Sequence, residues 1–95
     1  MESVVLTEKD HADIKLLNSL AATKYLFGRH EKAMNLLQLA LWIDVTNEHT
    51  LEMTVVVAWR LGQVDYAKAA LTVLEEMGAD IPESIQFISD IYVRH

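Results

Sequence analysis

The chain contains no cysteine, a single proline, three glycines and only eight basic residues, and each shortage removes a class of function. Without cysteine there is neither a disulfide framework nor thiolate chemistry, which fits a reducing compartment. A net charge of −6 argues against a grip on nucleic acid, because that grip depends on Lys and Arg neutralising phosphates. No apolar run approaches the roughly 20 residues needed to span a bilayer. The opening stretch MESVVLTEKDHADIK lacks a basic leader and a long apolar stretch, so it does not read as a secretory signal. The glycines are isolated and form no phosphate cradle. No Gly-, Pro- or Ser-rich linker divides the chain, so one domain is expected.

Catalysis has little to work with. His11, His30, His49 and His95 include no closely spaced pair, whereas a zinc site needs several ligands converging at about 2 Å. His49 and Glu52, one turn apart on a helix, would supply half a site or, more simply, an ordinary surface pair. Ser19, Ser84 and Ser89 lie in helical text, none of them on a strand-to-helix elbow. Glu75 and Glu76 are neighbours in sequence and do not face each other on a helix; a solvated rim is the expected role. No catalytic residue, cofactor or metal is expected, and the chain reads as a non-enzyme.

What the chain has is apolar residues at helical spacing. They make up 52% of 95 residues, enough for a core and high for so small a domain, so part of that surface is expected to lie under another chain. Thr7 and Asp10 resemble a capping box opening a helix over about 8–26, with Ile14, Leu17, Ala21 and Tyr25 as its stripe and Leu20 widening it. Gly28 ends that helix, and the short turn Gly28-Arg29-His30 forces an antiparallel neighbour over about 31–44, which carries Ala33, Leu36, Leu37, Ala40, Leu41 and Trp42.

Thr46 or Asn47 caps a third helix, about 48–61, although Thr50, Thr54, Val55, Val56 and Val57 would by propensity tolerate a strand. A fourth, about 65–77, turns Ala67, Ala70, Leu71 and Leu74 inward and stops at Gly78. Asp80-Ile81-Pro82-Glu83 opens a fifth, reaching about Val93, with Asp80 as cap and Pro82 in the first turn. The expected fold is all-α, five helices in antiparallel hairpins.

The two hairpins repeat. Gly28 and Gly62 are 34 residues apart, as are Ala33 and Ala67, and Tyr25 and Trp59 fall in the same register. A repeat unit buries its apolar face only by stacking on a neighbour, so this register outranks the β-branched composition of the third helix. The pattern resembles tetratricopeptide repeats, whose unit is a helical hairpin of about 34 residues. The first unit, about 14–47, matches at Leu17, Leu20, Ala21, Tyr25, Gly28, Ala33, Ala40 and Asp44. The second, about 48–81, keeps Leu51, Trp59, Gly62, Ala67 and Leu71, and departs at Thr54, Val55 and Leu74 and in having no proline after its second helix. A helix over about 82–94 is the first half of a third unit and caps the stack. The resemblance implies a right-handed superhelix.

A short, acidic, cysteine-free chain of about two and a half such repeats is also similar to the small tetratricopeptide chaperones of the bacterial type III secretion needle subunit. That resemblance implies a cytoplasmic bacterial chaperone with two partners: the needle-forming secreted subunit, whose amphipathic helix lies in a concave groove and is kept from polymerising, and a small helical-hairpin co-chaperone at the amino-terminal helices. Aligned on Gly28 and Gly62, the family's groove positions fall on Lys15, Asn18, Ala22, Tyr25 and Leu26, then on His49, Glu52, Val56, Trp59 and Arg60, then on Glu83, Gln86 and Asp90.

The expected protein-binding residues are Ala22, Tyr25, Leu26, Val56, Trp59 and Arg60. Tyr25 and Trp59 serve equally in packing within their own units. The groove suits a carboxylate clamp poorly, because Ala22 and Glu52 interrupt its basic and amide residues. Val4, Val5, Leu6, Phe27 and Trp42, with no preceding repeat over them, form an expected second interface or a surface for self-association. The alternatives are a generic peptide-binding adaptor and a structural self-assembling subunit. Neither nucleic-acid binding nor membrane insertion is expected.

Overall fold

Five α-helices supply all the regular structure among the described residues: α1 (Glu8–Leu26), α2 (His30–Ile43), α3 (Glu48–Arg60), α4 (Val64–Glu76) and α5 (Glu83–Val93). The computed structural model describes residues 5–93, with side chains as far as Ile91; Val4, His95 and the Tyr92 side chain lie outside the described residues. No described helix is long and apolar enough to cross a membrane.

Local chemistry sets the boundaries. Thr7 and Asp10 close a full capping box: the Asp10 N–H donates to Thr7 Oγ1 at 3.1 Å, and the Thr7 N–H donates to the Asp10 carboxylate at 3.0 Å. That second bond holds the Asp10 carboxyl below its ordinary range. Of the two candidate caps for α3, Asn47 does the work, its Oδ1 accepting the Thr50 N–H at 3.0 Å. Thr46 instead donates its own N–H and hydroxyl to Asp44, tying the loop between the hairpins.

α1, α3 and α4 end alike. Gly28, Gly62 and Gly78 have φ of 77°, 75° and 72°, and the N–H after each glycine reaches five residues back: Arg29 to the Lys24 carbonyl, Gln63 to that of Ala58, Ala79 to that of Leu74. This is the Schellman arrangement, for which glycine's missing Cβ is the enabling feature. At the two hairpin turns it leaves no room for a separate cap, so α2 and α4 begin without a side-chain cap bond, one residue earlier than the sequence reading had them.

α5 starts later than expected. Pro82 stands just ahead of the helix, its carbonyl accepting the Ile85 N–H at 3.0 Å, and the exposed Asp80 makes no capping hydrogen bond among the described residues. Glu83 is the first helical residue.

α1 packs on α2 and α3 on α4; α2 and α1 both meet α3, and α5 closes over α3 and α4. One part of the core joins Ala21, Ala33, Met34 and Leu37 of the first hairpin to Val57, Ala58 and Ala67 of the second. Ala33 and Ala67 are completely buried, so a larger side chain there would push the helices apart. The other part joins Leu51, Val55, Ala70, Leu71 and Leu74 to Ile85 and Ile88 of α5. Its inward residues keep the register: Leu51, Thr54 and Val55 recur 34 positions later as Ile85, Ile88 and Ser89, all buried.

The β-branched run of α3 is helical throughout. Four of its five β-branched positions, Thr50, Thr54, Val55 and Val57, are buried, and the Thr54 hydroxyl donates to the Thr50 carbonyl at 2.7 Å. Packing and this intrahelical bond outweigh the weak strand preference of such residues.

Candidate functional site

An open groove of about 380 Å³ runs between α1, α3 and the start of α5, lined by Ala22, Tyr25 and Leu26, by His49, Glu52, Met53, Val56 and Val57, and by Pro82, Ser84 and Ile85. Four of the six expected protein-binding residues therefore meet in one cavity. Leu26, at 81% exposure, and the half-buried Ala22 and Val56 leave apolar surface open to solvent. The volume falls within the range of ligand pockets, about 300–1,000 Å³.

Trp59 and Arg60 lie outside this cavity. With Val56, Ser84, Phe87 and Ile88 they line an adjoining hollow of about 370 Å³, so Val56 and Ser84 form the boundary between the two. Trp59 meets Phe87 edge to face, ring centroids 5.9 Å apart at 87°, and packs against the second part of the core. Tyr25 stacks on His30, centroids 4.9 Å apart, and packs against the first. Both rings thus combine packing within the fold with a face on a cavity.

The third wall differs from expectation. Glu83, Gln86 and Asp90 are exposed and line neither hollow; Pro82, Ser84, Ile85 and Phe87 take that place. On a helix, positions 83, 86 and 90 share one face, and burial of Ile85, Ile88 and Ser89 turns that face away from α3. The repeat register carries this signal, since Ile85 stands 34 after Leu51. Met53 and Val57 were also missed; they follow from their one-turn spacing on α3.

Asn18, expected on the groove wall, is 6% exposed. The Thr50 hydroxyl donates to its Oδ1 at 2.9 Å. Lys15 and Asn18 line a separate hollow of about 410 Å³ with His11, Ile14, Ser19, Ala22, Asn47 and His49. Among the described residues no three His, Asp or Glu side chains gather as a metal site; His49 and Glu52 share only the groove wall.

The expected second interface does not form one patch. α1 is 19 residues long, so at about 1.5 Å per residue some 28 Å separate Phe27 from Val5 and Leu6. Trp42, 90% exposed, sits near the end of α2, which antiparallel pairing places beside the start of α1. Leu6 is half-buried, and Phe27 stands alone at the far end beside the Gly28 turn. Further exposed apolar residues of the first hairpin are Leu16 and Leu20 of α1 and, with Trp42, Leu39 of α2, each pair at about one-turn spacing on its helix.

No protein-family model, no curated protein and no solved structure matches this chain.

Proposed function

We propose that the protein is a small tetratricopeptide-type chaperone that holds an amphipathic helix of a self-polymerising secreted subunit, of the type III secretion needle kind, in the groove between α1, α3 and α5. One observation carries the binding part: a solvent-open cavity with an apolar floor of Ala22, Leu26, Met53, Val56, Val57 and Ile85 and polar His49 and Glu52 among its lining residues. Such a surface accepts the apolar stripe of a helix while the charged face of that helix stays wet. Covering the stripe removes the surface through which the client would otherwise assemble. The needle-chaperone part rests on chain length, repeat number and acidic balance. In this reading a helical co-chaperone, or a second copy when the client is absent, covers apolar surface of the first hairpin.

The test is Val56→Asp. Val56 is half-buried at the boundary of both hollows, so the variant should keep its helical content by circular dichroism. An unpaired carboxylate against an apolar client helix should weaken binding by about 2–5 kcal/mol in calorimetry with the secreted subunit that co-purifies at natural expression level. Glu48→Lys, on the wetter end of α3, should change affinity by less than about 1 kcal/mol. A folded V56D protein with unchanged client affinity would move the binding surface elsewhere. A second reading, a structural self-assembling subunit, is favoured by the exposed Leu16, Leu20, Leu39 and Trp42; a pure homo-oligomer with no second chain in the native mass would select it.

A further inference from the structure

We infer that the exposed stripe of α1 is the surface on which a second copy of this chain docks, antiparallel and about a two-fold axis near the middle of the helix. The inference specifies how a copy covers the first hairpin when no client is held, and it does not depend on the groove. Ala22, Tyr25 and Leu26, which line the groove, lie on a different face of α1.

At about 3.6 residues per turn, Leu16, Leu20, Thr23 and Phe27 fall opposite the buried Ile14, Asn18 and Ala21. Leu16 is 59% exposed, Leu20 42% and Phe27, just past the last turn, 77%; Thr23 is exposed as well. Neither α2 nor α3, the described helices that α1 meets, covers this face. The stripe continues toward the amino terminus through Asp13 and Lys9, so its members alternate in steps of four and three, the spacing at which two helices share a seam.

Self-complementarity argues for a second copy rather than for an unrelated helix. Leu16 and Leu20 flank the middle of Glu8–Leu26. A two-fold axis there seats Leu16 of one copy on Leu20 of the other and Leu20 on Leu16, as an isologous contact requires. Charge is divided about the same point: the first half of α1 carries Glu8, Asp10 and Asp13 against Lys9 and Lys15, whereas the far end carries Lys24 and then Arg29, with no carboxylate before Glu31. Antiparallel pairing brings Asp13 beside Lys24, and Glu8 toward Arg29, of the second copy; parallel pairing would set Lys24 on Lys24 and Asp13 on Asp13. Lys24 and Arg29 have no ion pair among the described residues, and the Lys9–Asp13 bridge lies on the surface, where such a pair gives way at little cost. Two leucines and a phenylalanine from each copy make a small interface, so the pair forms at high protein concentration and the dilute chain stays monomeric.

Sedimentation of the full chain without client should show a monomer passing to a dimer and no further, because a two-fold contact closes. Lys24→Glu and Asp13→Lys, each checked for helical content by circular dichroism, should each weaken the dimer about tenfold or more, and an equimolar mixture should restore it, since opposite charges then meet again at both ends. The chain has no cysteine, so the register is read by mixing the Asp13→Cys and Thr23→Cys variants under mild oxidation. The mixed disulfide should form in about tenfold or greater excess over either homodimer. A chain that stays monomeric at millimolar concentration, growth past the dimer, a mixture that associates no better than its components, or an excess of homodimeric disulfides would each overturn the interface. Val56→Asp should leave the dimer intact whether or not it abolishes client binding, so the groove reading and this interface fail independently.

Discussion

The first and second hairpins are built from one pattern, yet they bury it differently. α1, at 19 residues, buries Ile14, Asn18 and Ala21; α3, at 13, buries Thr50, Leu51, Thr54, Val55, Val57 and Ala58. The equivalent positions Leu20 and Thr54 make the contrast plain, since the leucine is 42% exposed and the threonine 0%. Polarity alone would have assigned them the other way. The difference comes from place in the stack: α3 has the first hairpin on one side and α4 and α5 on the other, whereas among the described helices α1 meets α2 and α3 alone. An inner helix buries what its neighbours cover, and an outer helix leaves its far stripe wet. Thr54 tolerates its site because its hydroxyl is satisfied within the helix.

The largest effect that would test this comparison is Leu74→Ala. Leu74 is fully buried between the second hairpin and α5, so the truncation should cost about 2–5 kcal/mol in urea unfolding. A loss below about 1 kcal/mol would mean that α5 does not close that core in solution.

A reciprocal exchange sharpens the contrast at the single pair that shows it best. Thr54→Leu adds bulk to a closed site and should cost about 1–3 kcal/mol, while Leu20→Thr should stay within about 0.5 kcal/mol. Similar costs at the two positions would show that the outer stripe of α1 is covered in solution, which concentration-dependent sedimentation would then reveal.

Where the hairpins are the same, the costs should be the same. Gly28→Ala and Gly62→Ala meet nothing within 4 Å of the new Cβ and share a φ near +76°, so each should lose about 1 kcal/mol through backbone strain alone. Clearly unequal melting shifts would indicate that one of the turns is held by something beyond its local geometry.

The smallest effect lies at the outer end of α1. The Asp10 carboxyl is held below its ordinary value of 3.8 by the Thr7 N–H, and a depressed carboxyl contributes stability that is complete above the unfolded value and is lost as pH falls through the lower folded one. Asp10→Asn should therefore flatten the acid limb of the stability profile slightly, with no change in its slope near neutrality. The inner α3 is capped by the neutral Asn47, so Asn47→Asp should add acid sensitivity that the native cap lacks.

Much of the fold was legible because it is written in local, periodic signals. The 34-residue register, the glycine stops and the Thr7–Asp10 box need only neighbouring residues to act, so helix number and order followed from the sequence. The α1 limits agree at both ends, since the capping box and the Schellman turn each act within a few residues of the helix end. Ala22, Tyr25, Leu26 and Val56 were found as a group because the groove positions of the resembled repeat family, aligned on Gly28 and Gly62, fall on them.

What local signals do not contain is how one element rotates against another. Glu83, Gln86 and Asp90 were expected on the groove, and burial of Ile85 and Ile88 turned a different part of α5 toward it. Val5 and Phe27 belong to one uncovered hairpin, yet the length of α1 holds them apart. By itself the sequence determined the five helices, their stops and their pairing, because these depend on hydrogen bonds and side chains a few residues apart. Only the tertiary structure decided that Asn18 is buried beside Thr50, that Thr54 is inside while Leu20 is outside, and that α5 supplies a wall of the groove, because each depends on which surfaces the stacked helices cover.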